Sequence, residues 1–552
     1  MLTYTPTANT LSPKTDERPW ALFLLCLIWL APGILGHHPW KPDEPHTIGI
    51  IHAMQSQGQW LVPHLAGMPA WQDGPLYFQL VAILSSRLSD LMPMHDVARL
   101  LSAIFVALAL TFCGGIGREL VGRRYGRVVV ILMIGCLGLI VLGHTAISGA
   151  ATMAGYSAAF YGMVLFKRIP VFAGLSLGVG IVLATNTSSF YDAMVILLIA
   201  LGLPALFGYW RDTLYAKTGG IAAIVALPGL LVWPVMLYDQ NPDLFAAWWH
   251  GNALARLHGW IVDVQSSDFS FYIRTLPWFT WPALPIAIWA VWDGRLTGYQ
   301  RPAVQFSLLA VTIMSLGLLT SPLVQDDYLL PLLMPICVLA STAVDRLRRG
   351  AAAALNWFGV MTFGMLGLYI WLGWTAYMTG IPPQLARRAD KVIPGFIQAF
   401  SIWDLLIGLL LTFAWVWAVS RRRQMGRQAL SSWASGVAFC WSLLMLLWLP
   451  GIDWVKGYQQ PVAVLKKALP VKYQCIAAAG MSADVASLFD YHGGLGLKLN
   501  PDKPCDLLLV MGTREEVLPA GNWRKLWEGA RPGDNRERFR LYQQFDPPSI
   551  RL

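Results

Sequence analysis

Charged residues are scarce in this chain of 552 residues, since Asp, Glu, Lys and Arg make up only 13% of it, against about 25% in a typical soluble domain. Apolar residues make up 56%, which is more than a soluble protein of this size can bury. The cysteines and histidines show no metal-binding spacing, and the chain has no internal repeat or low-complexity tract. This composition excludes a soluble enzyme, a nucleic-acid binder and a fibrous protein.

The chain is rich in long apolar runs. They recur between Trp20 and Pro450, and each is about long enough to cross a hydrocarbon layer of ~30 Å. The sequence therefore predicts an all-α polytopic membrane protein in which residues 1–450 form about 13 transmembrane helices. The formal net charge of +10 fits an effect of membrane orientation and lipid headgroups, and does not indicate a nucleic-acid partner.

The loops indicate the orientation of these spans. From Arg118 onward, clusters of Arg and Lys alternate with loops rich in Trp, Pro and acidic residues, as the positive-inside rule requires. We expect a cytoplasmic N-terminus and outer loops at 37–96 and 238–275. The alternation holds only if Pro75–Leu91 does not cross the membrane. Its polar content predicts an amphipathic juxtamembrane helix at the outer face instead.

Residues 451–552 differ from the rest of the chain because a larger fraction of them is charged. Short apolar runs at 475–479 and 507–511 predict strands, with a helix over 482–491 between them and further paired strands near 523–527 and 539–545. We expect a small extracytoplasmic α/β domain, called the tail domain below. Its two cysteines, Cys475 and Cys505, would form a disulfide if the first two strands are parallel neighbours.

Two adjacent carboxylates, Asp43 and Glu44, directly follow the first span. Such a pair suits general-base or metal-binding chemistry. The same residues also suit the start of a helix, where Asp43 would be the N-cap and Glu44 would lie in the first turn. Residue spacing alone leaves both interpretations open.

A set of motifs around this pair resembles the integral-membrane glycosyltransferases of GT-C type. The likeness is to the group that contains the protein mannosyltransferases and the lipid A aminoarabinose transferases. It spans roughly residues 20–345. It is carried by Asp43-Glu44, by the run Gly58-Gln59-Trp60-Leu61-Val62-Pro63-His64-Leu65-Ala66-Gly67-Met68-Pro69, by the Arg-rich loop 118–127, by Trp249–Gly259, and by Asp327-Tyr328-Leu329-Leu330-Pro331-Leu332-Leu333-Met334-Pro335.

The resemblance implies that a sugar passes from a polyprenyl-phosphate carrier to a lipid A, cell-surface glycan or protein acceptor, with inversion at C1. Asp43 is then the catalytic carboxylate, and Glu44 is a supporting or metal-binding candidate beside it. Arg256 and Tyr328 would bind the donor phosphate, and Lys41 and His46 are further candidates for that role. No cofactor is predicted, although a divalent metal ion stays open.

Several positions depart from the pattern of the aminoarabinose transferases. His46 stands where those proteins have Arg, and Asp73 where they have Lys. An expected Asp near 148–150 is replaced by Ser148-Gly149-Ala150, and further differences fall on Gln72 and Asn252. Phosphate binding could therefore be weakened, rearranged or lost.

Two other functions compete with the leading prediction of a multi-pass transferase of a bacterial inner membrane. The first is a degenerate paralogue that binds a lipid carrier or a partner protein without catalysis. The second is a transporter, which is disfavoured because transporters usually show paired repeats and broken helices at mid-membrane. The expected partners are a polyprenyl-phosphate-linked sugar, a lipid or glycan acceptor and membrane lipids. The sequence predicts no oligomeric state.

Overall fold

A computed structural model of the chain describes residues 19–71, 73–253, 269–321, 325–421, 425–499, 501, 505–515, 521–534 and 536–545. The helices before the large outer loop are α1 (Pro19–Leu30), α2 (Glu44–Gln57), α3 (Leu76–Leu88), α4 (Met94–Leu120), α5 (Tyr125–Gly135), α6 (Leu137–Leu142), α7 (Ser148–Leu165), α8 (Pro170–Thr187), α9 (Phe190–Leu206), α10 (Thr213–Gln240) and α11 (Pro242–Trp248). Those after it are α12 (Phe269–Phe279), α13 (Ala283–Gly298), α14 (Pro302–Thr320), α15 (Leu333–Ser341), α16 (Arg349–Thr379), α17 (Pro383–Val392), α18 (Ile402–Ser420), α19 (Met425–Lys456), α20 (Gln459–Ala468) and α21 (Ala483–Gly493).

Among the described residues, seven helical segments are long and apolar enough to cross a membrane. They are Met94–Leu120, Pro170–Thr187, Thr213–Gln240, Pro302–Leu319, Arg349–Thr379, Ile402–Ser420 and Gly426–Ala468. Shorter apolar helices, such as Phe190–Leu206 and Tyr125–Gly135, lie between them. The predicted class of helical membrane protein is confirmed, and the number of thirteen spans stays a prediction.

Two of the apolar runs predicted as continuous spans, at about 127–143 and 328–344, are interrupted. The first breaks at Cys136, whose backbone is extended, and the Leu137 N–H donates instead to the carbonyl of Trp281. The second begins as a 3₁₀ segment, Asp326–Leu332, before α15. Pro331 lies in that segment, and proline removes a backbone donor and disfavours a regular α-helix. The 3₁₀ segment places Asp326, Asp327 and Tyr328 beside α7.

The helix predicted near Pro75–Leu91 is present as α3, and it is amphipathic. Tyr77, Phe78, Val81, Ala82 and Ser85 form its buried face. This spacing of three to four residues is that of a helix with one apolar face. Together α2 and α3 build the first outer loop, and a two-stranded hairpin of β1 (His64–Leu65) and β2 (Met68–Pro69) lies between them.

The tail domain folds around a four-stranded sheet, as the sequence predicts. Its strands are β3 (Ile476–Ala479), β4 (Leu507–Gly512), β5 (Trp523–Gly529) and β6 (Arg538–Gln544), in the order β3-β4-β6-β5. Strands β3 and β4 are parallel, and the other neighbours are antiparallel. The long helix α19 extends to Lys456, past the predicted domain boundary at 451.

The predicted disulfide between Cys475 and Cys505 is confirmed. The two residues immediately precede the parallel pair β3 and β4, and their Cα atoms lie 5.1 Å apart. The bond closes a loop with a sequence separation of 30 residues. In the chain-entropy model, a loop of this length corresponds to about 3–4 kcal/mol of stabilisation, which is substantial for so small a core.

Candidate active site

Asp43 lies at the N-cap position of α2, but its carboxylate does not act as a cap. None of the described first-turn N–H groups donates to its side chain. A capping Asp would accept a bond from the N–H two or three residues later. The structure therefore favours a functional carboxylate over the capping interpretation that the sequence leaves open.

The surroundings of Asp43 favour a proton acceptor that works near neutral pH. Burial raises the pKa of Asp43 to about 6, and the nearby carboxylates of Asp326, Glu44 and Asp484 add to this effect. The charge of His46 acts in the opposite direction. A base is most effective when its pKa lies near the working pH, so Asp43 is suited to accept a proton from a hydroxyl group.

Glu44 has a different role, because it is only 1% exposed and both of its carboxylate oxygens accept hydrogen bonds. Arg99 of α4 binds it through two bonds, Nε to Oε1 at 2.6 Å and Nη2 to Oε2 at 3.0 Å. The backbone N–H groups of Trp40 and Ala146 donate to the same carboxylate. Although burial alone would raise the pKa of Glu44, the charge and hydrogen bonds of Arg99 lower it. Glu44 thus joins the first outer loop to α4 and to the loop before α7, beside Asp43.

His46 lies in the first turn of α2, among carboxylates from three other parts of the chain. Its Nδ1 is 3.2 Å from Oδ1 of Asp484 in the tail domain, and its Nε2 is 3.8 Å from Oδ2 of Asp73. Asp327 also contributes to the electrostatic environment of the ring. Burial lowers the pKa of His46, but these carboxylates raise it overall, and the imidazolium form is favoured.

A narrow cleft opens beside this group, between α7, α9 and the 3₁₀ segment. Its lining includes Asp73, Gly149, Asp192, Asp327 and Tyr328. Gly149 has a specific steric role, because a Cβ there would lie only 2.9 Å from Oδ2 of Asp327. Asp327 thus occupies the space beside 148–150, where the resemblance leads one to expect an Asp. An acid is present, but it comes from a different element.

Lys41 contacts the tail domain. Its Nζ lies 2.8 Å from Oε1 of Glu537 and above the ring of Tyr458. These contacts account for Lys41 without a phosphate. Arg256 and Gln72 lie outside the described residues. Of the predicted donor-binding residues, the structure therefore brings His46 and Tyr328 to the acidic cleft.

The described residues contain no group of three or more His, Cys, Asp or Glu side chains arranged to hold a metal ion. The Asp and His side chains around the cleft pair with one another instead, as His46 does with Asp484. No residue is therefore assigned to a metal.

Sequence reasoning gave no role to Arg99, Asp327 or Asp484. A signal existed for Arg99, which is a single cation inside an otherwise apolar run and therefore needs a buried partner. Asp327 stands next to Tyr328 in a motif that carries the family resemblance. Asp484 had no local signal, because only the packing of the tail domain brings it to His46.

A second, larger cavity of about 990 Å³ is an apolar groove between α12, α16, α17 and α19. Its lining is rich in aromatic residues, among them Trp278, Trp281, Trp433, Trp441 and Trp448. Arg388, from the short helix α17, is the charged residue that lines it. Such a groove has the chemistry needed to hold a hydrocarbon chain whose headgroup is anionic.

No family model matches the chain, but curated relatives do. The chain is 25% identical over 455 residues to the undecaprenyl phosphate-alpha-4-amino-4-deoxy-L-arabinose arabinosyl transferase of Pseudomonas aeruginosa strain UCBPP-PA14, covering 78% of this chain and 75% of that protein. It is 26% identical over 452 residues to the enzyme of the same name from Edwardsiella ictaluri, covering 72% and 73%. The resemblance indicated by the motifs is confirmed.

The fold also matches a solved structure. ArnT from Cupriavidus metallidurans bound to undecaprenyl phosphate superposes with a TM-score of 0.66 over 95% of this chain and 98% of that chain, at 12% identity. Its apo state gives a TM-score of 0.61, covering 95% and 97%. The predicted fold, a GT-C type helical membrane body with a small C-terminal sheet domain, is thereby confirmed.

Proposed function

We propose that the chain is a glycosyltransferase that moves a sugar from undecaprenyl phosphate to an acceptor at the outer face of a bacterial inner membrane. The observation that carries this proposal concerns Asp43. Its partly buried carboxylate makes no helix-capping hydrogen bond, and its pKa is raised to about 6. It lies in the first outer loop of a chain that resembles named transferases of this kind.

In the proposed reaction, Asp43 accepts the proton of the acceptor hydroxyl as that oxygen bonds to C1 of the sugar. The bond between C1 and the phosphate oxygen breaks, and its electron pair leaves with the carrier phosphate. Attack from the opposite face inverts C1. His46 and Tyr328 would stabilise the negative charge that develops on the leaving phosphate. Glu44 would position the loop that holds Asp43.

The cleft favours a donor sugar that carries a positive charge. Asp73, Asp192 and Asp327 line it, and the imidazole ring of His46 lies near Asp73 and Asp327. A neutral sugar would gain little from these carboxylates, whereas a protonated amine would form charge-assisted hydrogen bonds with them. The relatives are named for 4-amino-4-deoxy-L-arabinose, and we propose an amino sugar of this kind as the donor group.

The apolar groove supports the lipid part of the proposal. Its aromatic lining and its single lining arginine, Arg388, suit a hydrocarbon chain attached to an anionic head. Both the carrier and a lipid A acceptor have this form, so either could occupy the groove.

The second candidate, a carrier-binding paralogue without transferase activity, is favoured by one observation. Asp73 stands where the resembling family has a Lys, and it faces the same His46 that would hold the phosphate. Like charges near a phosphate oppose its binding. The two candidates differ in whether product forms.

The test is transfer by the purified full chain. Undecaprenyl phosphate carrying radiolabelled 4-amino-4-deoxy-L-arabinose is mixed with lipid A, and label in lipid A is measured. We expect label to accumulate with the wild-type chain and not with Asp43→Asn. Binding of undecaprenyl phosphate without any labelled product, across lipid A, glycan and protein acceptors, would instead establish the second candidate.

We further propose that the N-terminus is cytoplasmic and that the tail domain is extracytoplasmic. The alternating loop charges and the Cys475–Cys505 disulfide, which is typical of an oxidising compartment, both support this orientation.

A cysteine introduced at Arg123 should therefore resist an impermeant maleimide added to intact spheroplasts. A cysteine introduced at the fully exposed Val471 of the tail domain is the matched control, and it should react. Labelling at position 123 from outside would overturn the orientation.

A further inference from the structure

The tail domain packs closely against the first outer loop, through α21 and α2. A Cβ at Gly49 would lie 2.5 Å from the Cβ of Ser487, so these helices meet at a distance that only glycine permits. The Ser482 side chain accepts a hydrogen bond from the Val485 N–H and fixes the start of α21. Asp484, in the first turn of that helix, is therefore held at a defined place against α2.

His46 faces Asp484 with one ring nitrogen and Asp73, which lines the cleft, with the other. The Nδ1–H donates to Oδ1 of Asp484 at 3.2 Å. The Nε2 is buried and has no hydrogen-bond partner among the described residues, with Oδ2 of Asp73 at 3.8 Å. The bond made by one ring nitrogen sets the tautomer and the direction of the other. This arrangement leaves a directed donor on the cleft side of the ring.

We propose that Asp484 is a positioning residue of the active site, which holds the His46 imidazolium with Nε2 directed toward the carrier phosphate. The tail domain then supplies a residue that orients a side chain of the active site. This inference rests on the proposed function, because the phosphate is that of the undecaprenyl carrier. Asp484 itself touches neither substrate.

The groups around His46 set the direction of the expected pH effect. Asp43 precedes it on the same segment, while Asp484 of α21, Asp73 of the loop before α3, and Asp327 of the 3₁₀ segment face it. Burial lowers the pKa of His46, and the hydrogen bond to Asp484 leads the effects that raise it. A histidine with a raised pKa keeps its charge as pH rises. Loss of Asp484 should therefore neutralise the ring at a lower pH.

The test compares Asp484→Asn with the wild-type chain at pH 6 and pH 8, using undecaprenyl phosphate in detergent micelles as the probe. At pH 8 we expect Asp484→Asn to raise the Kd roughly tenfold, since one pKa unit changes the protonated fraction by up to about tenfold. At pH 6 a larger fraction of the ring is protonated in both chains, so the Kd should change less than it does at pH 8.

Two further variants separate positioning from simple destabilisation. Asp490→Asn makes the same substitution on the same helix, at a residue 3.8 Å from His52, and it should leave both Kd values unchanged. His46→Arg supplies a charge that does not titrate. In that background, adding Asp484→Asn should change the Kd less than about twofold at either pH.

A direct titration distinguishes failure of this inference from failure of the proposed function. The ring proton of His46, assigned in the NMR spectrum with His46→Gln, should titrate at lower pH in Asp484→Asn. An unchanged midpoint, or a loss of binding equal at pH 6 and pH 8, would overturn the role of Asp484. A shifted midpoint in a chain that binds no undecaprenyl phosphate would support the pairing and overturn the proposed function.

Discussion

Replacing Asp43 with Asn is expected to reduce sugar transfer by a factor of about 10²–10⁴, the usual contribution of a positioned general base. Asn keeps the shape of the side chain but cannot accept the hydroxyl proton. In the wild-type chain, activity should fall as pH decreases through about 6, the pKa to which burial raises this carboxyl. The rate of transfer from the labelled donor, measured between pH 5 and pH 8, checks both statements.

The same variant should be at least as stable as the wild-type chain. An acid whose pKa is higher in the folded state than its ordinary value holds its proton more tightly when folded. Stability is therefore lost as pH rises from the ordinary pKa of 3.8 to about 6, and the full loss is present at pH 7. One pKa unit corresponds to about 1.4 kcal/mol, and Asp43→Asn should gain roughly 1–3 kcal/mol at pH 7. Thermal unfolding in detergent measures this gain. If Asp43 acted as a helix cap, its replacement by Asn, an equally good N-cap residue, would leave the stability nearly unchanged.

Asp90→Asn is the matched control for Asp43→Asn. It makes the same change in the same outer loop, just after α3, at an exposed residue. Transfer and melting temperature should both stay at wild-type values. Wild-type turnover in Asp43→Asn would contradict the assignment of Asp43 as the base.

Local sequence patterns predicted the tail domain well. The helix α21 lies between β3 and β4, so short apolar runs and the two cysteines specified both the parallel pair β3–β4 and the disulfide. The amphipathic α3 was predictable for a similar reason, because its buried face repeats at helical spacing. Each of these features depends on residues close together in the sequence.

The site itself was only partly predictable, because its geometry depends on contacts between distant segments. The motifs indicated Asp43 and Tyr328, and the structure brings His46 to the same cleft. They could not indicate that Lys41 pairs with Glu537, or that Asp327 fills the space beside Gly149. Both contacts join residues more than 170 positions apart, so the residue pattern within one segment cannot predict them.

The ion pair between Glu44 and Arg99 is the clearest of these long-range contacts. The two side chains are each 1% exposed, and Arg99 also donates to Asp96 and to the carbonyls of His37 and His38. The Arg99 guanidinium thus links α4 to the start of α2 and to the loop between α1 and α2. This arrangement fixes the backbone that carries Asp43.

Replacing Arg99 with Met should therefore destabilise the fold by about 3–5 kcal/mol, the usual cost of removing one partner from a buried pair. Glu44 and Asp96 would both lose their cation in a buried environment. We expect a marked fall in melting temperature and in the yield of monodisperse protein. Glu44→Gln should also destabilise the fold, because the N–H groups of Trp40 and Ala146 donate to different carboxylate oxygens and a single amide oxygen can accept only one of them.

The double variant Glu44→Gln/Arg99→Met tests whether the effect comes from an uncompensated charge. Removing both charges leaves no carboxylate at position 44, so the double variant should be more stable than Arg99→Met alone. Arg168→Met removes an exposed arginine that pairs with Glu119 at 3.0 Å, and it should cost less than about 1 kcal/mol. Equal losses from Arg99→Met and Arg168→Met would show that the buried pair does not hold the outer loop in place.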